Sequence, residues 1–325
     1  MTGIGKEIVT KKRIELYTGR THPELTNEVA EVLGIGLGET NLRNFPDGQI
    51  HCRYGDSIRG ADVFVMQTHG APVNESIMEQ CIMIDAAKRA SAKRITAVCP
   101  YYGYARQDRK AEGREPITAK LVADMLTVAG ADRIVSVDLH AGRVQGFFDG
   151  PVDHLTAMPV LEAYIRGEGS GNMAIVSPDT GRIKVAERLA QHLDLELANV
   201  YKKRAKGQVE ARGVLGDVAG KRCILVDDMI DTAGTICAAA DILRENGATD
   251  VWAMATHGVL SDPAVDRLKN SAISRVVVTN TLPIPSEKQF DKLEVLSIAG
   301  IIANAIEAVF ADTSVSEIFG GENQQ

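Results

Sequence analysis

The sequence predicts an α/β protein in which parallel strands alternate with crossover helices. Three observations indicate this class: short apolar runs rich in Val and Ile, helical-period segments between them, and a globular composition. Hydrophobic residues make up 45% of the chain and charged residues 24%, as in folded globular proteins. At 325 residues the chain exceeds the size at which one core usually stops growing, so we expect two domains.

The apolar runs and the periodic segments between them predict the individual elements. The predicted strands are residues 62–67, 94–99, 133–139, 173–177, 222–227, 251–256 and 275–279. The predicted helices include residues 76–90, 117–129 and 233–246. Each of these helices is long enough to connect two parallel strands.

An internal similarity indicates how the domains are arranged along the chain. Residues 130–142 align with residues 247–258, which places His140 opposite His257, and a second pair of strands recurs at nearly the same offset. Two offsets that nearly agree predict two similar α/β domains. The stretch 150–159 has the Gly and Pro content of a connection, so we assign the domains to residues 13–156 and 157–319.

Composition argues against several classes of partner. The formal net charge of −7 does not suit nucleic-acid binding, because phosphate backbones require a clustered basic surface. No apolar run reaches the roughly 20 residues that span a bilayer, and no signal peptide is recognisable, so no membrane partner is expected. The five cysteines show no CxxC spacing. We therefore expect a cytoplasmic protein.

The strongest chemical signal is the segment 223–235, CILVDDMIDTAGT, in which an apolar strand ends in two carboxylates before a turn opens a helix. Backbone N–H groups and the helix N-terminus can hold a phosphate without Lys or Arg, and Thr232 and Thr235 add hydroxyl donors. Asp227 and Asp228 would repel a bare phosphate, so they suit sugar hydroxyls or a metal. Phosphate plus diol predicts a sugar phosphate, whereas the plain alternative is a helix cap.

This segment resembles the ribose 5-phosphate loop of the phosphoribosyltransferase superfamily, in the form that ribose-phosphate diphosphokinases carry. Six further blocks match that family in order between residues 13 and 319: FPDGQI (45–50), YYGYARQDRK (101–110), REPI (114–117), DLHAGRVQGFF (138–148), VSPDTGRIK (176–184) and SVSEIF (314–319). The resemblance implies two phosphoribosyltransferase-like domains, each a mainly parallel sheet flanked by helices. ATP and ribose 5-phosphate would meet between them in a homo-oligomer, commonly a hexamer. The implied ribose 5-phosphate contacts are Arg204, Asp227, Asp228, Asp231, Thr232, Ala233, Gly234 and Thr235.

The candidate ATP contacts form two groups. Arg106 and Gln107 follow an aromatic turn, where a guanidinium can clamp phosphates and an amide can recognise a base edge, although a solvated charge run is the alternative. The resemblance implies that both contact ATP, and that Phe45, Asp47 and Gln49 grip adenine from a neighbouring subunit. Gln49 departs from the family, which usually has Glu there, so this contact loses a charge.

His140 and Asp179 are the candidate metal residues, because the resemblance implies that they flank triphosphate-bound Mg²⁺. Mg²⁺ prefers oxygen and keeps several waters, so His140 would act through a water. A strand-end His is otherwise often structural. Two departures lie nearby: Arg143 replaces the usual Gln of DLHxxQ, and residues 180–182, Thr-Gly-Arg, replace the commoner Ala-Gly-Gly. Arg182 could thereby add a phosphate contact.

The candidate catalytic segment is YKKRAK (201–206), a basic cluster in a polar, Gly-containing stretch that is typical of a mobile loop. Diphosphoryl transfer builds negative charge, so Lys and Arg on a closing loop would stabilise mainly the transition state. The resemblance assigns this role to Lys202 and Arg204, while a solvated basic loop is the alternative. The loop is slightly shorter than in common bacterial forms.

A regulatory site is implied only by the resemblance. Five residues match family positions around an allosteric site: Ser57, Arg59, Arg109, Ser314 and Ser316. Ser and Arg suit a phosphate, so inorganic phosphate and ADP are the implied effectors. Each of the five is otherwise an ordinary surface residue.

The sequence thus predicts transfer of the β,γ-diphosphoryl group of Mg-ATP to the anomeric hydroxyl of ribose 5-phosphate. It contains no GxxxxGK[ST] motif as a competing ATP site. One alternative is a phosphoribosyltransferase that consumes phosphoribosyl diphosphate, but such enzymes usually lack the ATP blocks. The other is an inert regulatory homologue, which should have lost the chemistry residues that this chain retains.

Overall fold

The computed structural model describes residues 12–169, 171–203 and 211–321, with side chains described for all of these except residues 202, 203, 211 and 212. The strands are β1 (Ile14–Thr18), β2 (Thr40–Asn44), β3 (Ile50–Tyr54), β4 (Asp62–Met66), β5 (Arg94–Cys99), β6 (Arg133–Val137), β7 (Val152–Leu155), β8 (Met173–Ser177), β9 (Glu196–Lys203), β10 (Ala211–Leu215), β11 (Arg222–Ile230), β12 (Asp250–Gly258), β13 (Arg275–Thr279) and β14 (Leu293–Leu296). The α-helices are α1 (Pro23–Leu33), α2 (Val73–Arg89), α3 (Thr118–Ala129), α4 (Met158–Gly167), α5 (Ile183–Leu193), α6 (Gly234–Glu245), α7 (Ala264–Asn270) and α8 (Ala299–Ala311). Short 3-10 turns occupy Gly142–Phe147, Ser286–Lys288 and Ser316–Phe319.

Two large sheets carry the fold, and both are mainly parallel. The first has five strands in the order β1-β4-β5-β6-β7, with every neighbouring pair parallel. The second has seven strands in the order β10-β9-β8-β11-β12-β13-β14, in which β10 runs antiparallel to β9 and the other pairs are parallel. Strands β2 and β3 form a separate antiparallel ribbon. The predicted α/β class with two mainly parallel sheets is confirmed.

The strands and helices predicted from the sequence are all present, and the largest differences in length are those of β11 and β12, each of which is three residues longer than predicted. The sequence suggests an end at residue 227, whereas β11 continues to Ile230. The extension exists because Met229 and Ile230 pair with His257 and Gly258 of β12, which also runs past its predicted end. Strand pairing therefore keeps Asp227 and Asp228 in extended backbone at the carboxyl end of β11, a central strand of the sheet.

Each face of the first sheet packs against a different pair of helices. Along β4, Val63 and Val65 point into a core shared with α2 and α3, while Phe64 points to the opposite face, as strand alternation requires. That opposite core contains Ile302 and Ile306 of α8 together with α1. Helix α8 lies in the second of the two domains assigned from the sequence, yet it covers the first sheet. The limits 13–156 and 157–319 stay a prediction.

The connections of the second sheet create a crevice. Strand β8 leads through α5 to β9 on one side, and β11 leads through α6 to β12 on the other. In open α/β sheets, ligands bind outside the carboxyl ends of strands where the connections diverge in this way. The ends of β8 and β11 therefore mark the expected site. Within the described ranges, no helix has both the length and the apolarity needed to cross a membrane.

Candidate active site between the two sheets

A cleft of about 670 Å³ opens at the carboxyl ends of β6, β8 and β11. The first half of the chain lines it with Arg106, His140 and Arg143. The second half contributes Asp179, Lys184 and Arg188, as well as Arg182 and the segment 227–236. The cleft therefore brings together the candidate metal residues, the candidate sugar loop and one candidate ATP contact.

The sugar loop, residues 227–235, turns sharply between β11 and α6. Ala233 has φ 59° and ψ 6°, a left-handed conformation that lets the chain enter α6 at Gly234. The first N–H groups of an α-helix have no partner within the helix, and here they border the cleft. Arg267 of α7 donates a hydrogen bond from Nη1 to the carbonyl oxygen of Thr232 at 2.9 Å, which holds the loop from behind.

The two carboxylates at the end of β11 differ in their surroundings. Asp228 is buried; its Oδ2 forms an ion pair with Nη2 of Arg182 at 2.6 Å and lies 2.7 Å from Nδ1 of His140. Asp227 accepts at Oδ1 from the backbone N–H of Asp228 at 2.8 Å. Burial and the neighbouring Asp228 charge raise the pKa of Asp227 above its ordinary value. Burial opposes ionisation of Asp228 too, but His140 and Arg182 hold its pKa below the ordinary range.

The turn after β6 that carries His140 is held by Asp138. Asp138 adopts a left-handed backbone with φ 37°, which is uncommon for a residue with a side chain. Its Oδ2 accepts hydrogen bonds from Oγ1 of Thr256 at 2.6 Å and from the N–H of Ala157 at 2.9 Å. Thr256 belongs to β12, so a buried carboxylate of the first sheet is fastened to the second.

His257, which aligns with His140 in the internal repeat, fastens the same turn. Its Nε2 lies 3.1 Å from the carbonyl oxygens of Val137 and of Asp138, and its Nδ1 lies 2.8 Å from Oγ1 of Thr281. Burial lowers the pKa of His257, so the neutral ring donates from Nε2 and accepts at Nδ1. The two aligned histidines therefore differ in role, because only His140 lines the cleft.

Arg106 connects the two halves across the cleft. Its Nη1 donates a hydrogen bond to Oδ2 of Asp231 in the sugar loop at 2.5 Å. Gln107 turns away instead, because its Oε1 accepts from Oγ1 of Thr118 at 2.6 Å at the start of α3. The structure therefore directs Arg106 into the cleft and Gln107 away from it.

Both departures near the metal residues place an arginine against a buried carboxylate. Nε of Arg143 lies 2.8 Å from Oδ2 of Asp108, which joins the turn after β6 to the segment that follows Arg106. Arg182 points inward to Asp228, and only 11% of its side chain is exposed. The sequence suggests a phosphate contact for Arg182, whereas in this structure a carboxylate of the chain binds its guanidinium.

Asp179 forms the turn after β8. Its Oδ1 accepts a hydrogen bond from the N–H of Gly181 at 2.8 Å. Asp179 and His140 both line the cleft. Across the described residues, no group of three or more His, Cys, Asp and Glu side chains is arranged to hold a metal ion. The donors available in the cleft are therefore scattered carboxylates and one imidazole.

The remaining candidate residues lie outside this cleft or outside the described parts of the chain. Phe45, Asp47 and Gln49 form an exposed turn between β2 and β3, where Nε2 of Gln49 donates to Oδ2 of Asp47 at 2.8 Å. The allosteric candidates are Ser57, Arg59, Arg109 and Ser314, all exposed, and Ser316, half-buried. The backbone of Lys202 lies in β9 opposite Arg212 of β10. Arg204 lies outside the described residues.

Comparisons with known proteins agree along the whole chain. The family model for the "N-terminal domain of ribose phosphate pyrophosphokinase" matches residues 14–130, and the "Phosphoribosyl synthetase-associated domain" matches residues 196–320. The ribose-phosphate pyrophosphokinase of Streptomyces avermitilis is 55% identical over 323 residues, which is 98% of this chain and 99% of that protein. That of Bifidobacterium longum is 59% identical over 315 residues, 95% of this chain and 93% of that protein. The crystal structure of phosphoribosylpyrophosphate synthetase from Mycobacterium smegmatis aligns with a TM-score of 0.88 and 55% identity, covering 93% of this chain and 100% of that one.

The fold and the cleft define a phosphoribosyltransferase-like α/β protein with its polar site between two mainly parallel sheets. The chain belongs to the ribose-phosphate pyrophosphokinase family, whose members are also called ribose-phosphate diphosphokinases. It is therefore an enzyme of the transferase class, a kinase of nucleotide biosynthesis, and the family resemblance predicted from the sequence is confirmed.

Proposed function

We propose that this chain transfers the β,γ-diphosphoryl group of ATP to the anomeric hydroxyl of ribose 5-phosphate, giving AMP and phosphoribosyl diphosphate. One observation carries the proposal: a single cleft is lined by Arg106 and His140 from one sheet and by Asp179 and the sugar loop from the other. A transfer between two substrates requires both to be held in one place with their reacting atoms aligned.

The sugar loop would bind ribose 5-phosphate. The N–H groups at the start of α6 and the hydroxyls of Thr232 and Thr235 would receive the phosphate, because helix N-termini favour anions. Asp227 and Asp228 would accept hydrogen bonds from the ribose hydroxyls. Asp231, Ala233 and Gly234 would complete the loop.

ATP would bind on the side of the first sheet. Arg106 is paired with Asp231 at 2.5 Å, and more than half of its side chain is exposed, so it can exchange this carboxylate for a nucleotide phosphate. Gln107 would need a different rotamer to leave Thr118 and reach a nucleotide. Phe45, Asp47 and Gln49 lie in an exposed turn, which suits contact with adenine bound to a neighbouring subunit rather than to their own.

A homo-oligomer, a hexamer in our proposal, would bring that turn to the neighbouring cleft. Helices α2 and α3 present large exposed apolar side chains, with 47% of Met78, 55% of Leu121 and 79% of Val128 accessible in the single chain. Clusters of exposed apolar residues commonly mark protein–protein contacts. Inorganic phosphate and ADP would act as effectors at Ser57, Arg59, Arg109, Ser314 and Ser316.

A divalent cation, Mg²⁺ in our proposal, suits the donor set of the cleft. Asp179 and His140 would hold it, the imidazole through a water, with Asp228 close to His140. Scattered carboxylates without a closed cage fit Mg²⁺, which usually keeps waters and is bound by one or two carboxylates plus substrate phosphates. When bound, the cation would neutralise charge on the phosphates of ATP.

The anomeric hydroxyl oxygen would attack the β-phosphorus, the bond from that phosphorus to the α,β-bridging oxygen would break, and AMP would leave. The hydroxyl proton would pass to solvent. Lys202 and Arg204 would approach the transferred group and stabilise the charge on its oxygens, and Arg204 would also contact ribose 5-phosphate. Such stabilisation acts mainly in the transition state, so Lys202 and Arg204 would affect turnover more than binding.

The test is to incubate the protein with Mg-ATP and ribose 5-phosphate and to measure nucleotide products. We expect AMP and phosphoribosyl diphosphate in equal amounts, and ADP as the product would overturn the proposal. No turnover would instead favour the inert regulatory homologue. The full-length match to ribose-phosphate pyrophosphokinases already decides against a phosphoribosyltransferase with one such domain.

Lys202→Ala should lower turnover by at least about a hundredfold, the scale of losing one preorganised charge donor, while ribose 5-phosphate affinity stays within about threefold. Lys203→Ala is the matched control, because it removes the same charge from the next residue of β9. Equal losses in both variants would mean that general basicity matters rather than Lys202 itself. Calorimetric titration with ribose 5-phosphate would separate lost binding from lost chemistry.

A further inference from the structure

Arg182 occupies an unusual position for a residue of a phosphate-binding cleft. It follows β8 and directly precedes α5, and 89% of its side chain is shielded from solvent. Its Nη2 forms an ion pair with Oδ2 of Asp228 at 2.6 Å and donates a hydrogen bond to the carbonyl oxygen of His140 at 3.1 Å. Its Nε lies 3.5 Å from Oδ1 of Asp227. One guanidinium therefore contacts the backbone of His140, a proposed metal residue, and both carboxylates of the sugar loop.

Oδ2 of Asp228 is shared between two groups, the guanidinium of Arg182 and Nδ1 of His140 at 2.7 Å. A buried carboxylate oxygen with two such partners has little capacity left to bind a divalent cation. A divalent ion at this oxygen would also face the positive charge of Arg182 at short range, in a site where burial weakens screening. A divalent cation that used this oxygen as well as His140 and Asp179 would therefore compete with Arg182 for it.

We infer that Arg182 is an internal counter-ion that competes with the divalent cation for Asp228 and keeps the substrate-free cleft from binding a free cation strongly. The cation then enters together with the nucleotide, whose phosphates offer the displaced guanidinium a planar, bidentate partner. The biological role that this inference gives to Arg182 rests on the proposed function. Its test needs no substrate, so its failure and failure of the proposed reaction are distinguishable.

The experiment is titration of the full chain with Mn²⁺ alone, monitored by electron paramagnetic resonance of free Mn²⁺. Arg182→Gln keeps a hydrogen-bond donor but removes the charge. We expect it to bind Mn²⁺ at least about tenfold more tightly than the unmodified chain, which corresponds to ~1.4 kcal/mol. Adding Asp228→Asn to Arg182→Gln should abolish the gain, because the oxygen released by Arg182 no longer carries a charge.

Lys184→Gln is the matched control, since Lys184 lines the same cleft and its loss lowers the positive charge of the wall equally. We expect its Mn²⁺ affinity to stay within about twofold of the unmodified chain, because screening weakens charges that do not touch the ion. A similar gain in Lys184→Gln would overturn the inference, as would a gain that survives Asp228→Asn. An unchanged or weaker affinity in Arg182→Gln would overturn it as well.

Arg182→Lys is a second variant that tests the inference if Arg182→Gln does not fold. A lysine ammonium is a compact point charge without the planar fork that reaches Asp228, Asp227 and the backbone together. We expect about threefold tighter Mn²⁺ binding for this variant, and affinity equal to that of the unmodified chain would overturn the inference. In the folded, active variants, the free Mg²⁺ concentration for half-maximal turnover should fall in parallel, which a purely structural role would not produce.

Discussion

Thr256→Val tests whether the hydroxyl that β12 donates to Asp138 holds the turn bearing His140. The substitution preserves shape and removes one hydrogen bond of 2.6 Å, between groups that are 3% and 9% exposed. Hydrogen bonds to charged groups contribute about 1.5–3 kcal/mol, and the same carboxylate oxygen keeps the N–H of Ala157. We therefore expect the free energy of unfolding to fall by about 2 kcal/mol, roughly a thirtyfold change in the folding equilibrium.

Thr279→Val is the matched control for this prediction. The hydroxyl of Thr279 is also buried, but it donates to a neutral acceptor, the carbonyl oxygen of Thr256, at 2.7 Å. Oγ1 of Thr281 also lies 3.3 Å from that carbonyl oxygen. A neutral hydrogen bond contributes about 1 kcal/mol, so Thr279→Val should cost about half as much as Thr256→Val.

The two variants should be compared by urea unfolding and by turnover. The midpoint should fall with an unchanged slope, because neither change alters the surface exposed on unfolding. Turnover should fall at least about tenfold in Thr256→Val and less than twofold in Thr279→Val, because small displacements of site residues are costly. An equal or larger stability loss in Thr279→Val would refute the reasoning about the charged acceptor. Equal turnover losses would refute the link to His140.

Two further predictions concern the backbone and the surface. Ala233→Gly should change stability by less than about 1 kcal/mol, because relief of the left-handed conformation at φ 59° offsets the lost buried methyl and the added chain entropy; a loss above about 2 kcal/mol in urea unfolding would show that the methyl dominates. Hydrogen bonds from Lys12 and then Arg94 lower the pKa of Asp312 to about 2, so its stabilising contribution is present above about pH 4 and disappears as the pH falls through about 2. Asn also tolerates the left-handed backbone at this position, so Asp312→Asn should lower the thermal midpoint at pH 7 without adding backbone strain. The difference from the unmodified chain should shrink as the pH falls toward 2 and vanish below about pH 2; a constant difference across that range would contradict this assignment.

The sequence predicts the sheet strands well where both faces are buried. All five residues of β8 are buried, and a strand covered by helices on both sides must be a continuous apolar run. The extension of β11 through Ile230 was not predictable in the same way, because Met229 and Ile230 stay extended through pairing with β12. That pairing is tertiary and leaves no local pattern.

The candidate site was predictable in its parts but not in its internal contacts. The carboxylates and the helix start of the sugar loop follow from residue type and spacing, and the cleft brings them to His140 and Asp179. The left-handed conformation of Ala233 gives no signal, because glycine is the residue expected there. The inward direction of Arg182 could not be predicted from the sequence either, since an arginine in a cleft binds a phosphate or a carboxylate through the same hydrogen bonds.

Helix α8 bears on how the protein is made in the cell. The face of the first sheet that contains Leu16 and Phe64 packs against Ile302 and Ile306, about 240 residues further along the chain than Phe64. During synthesis at about 5–20 residues per second, that face remains exposed for roughly 10–50 seconds before α8 is synthesised. An apolar sheet surface without its helix is a surface for chaperones to bind, so the N-terminal half of each nascent chain reaches its final form only when the C-terminal helix emerges from the ribosome.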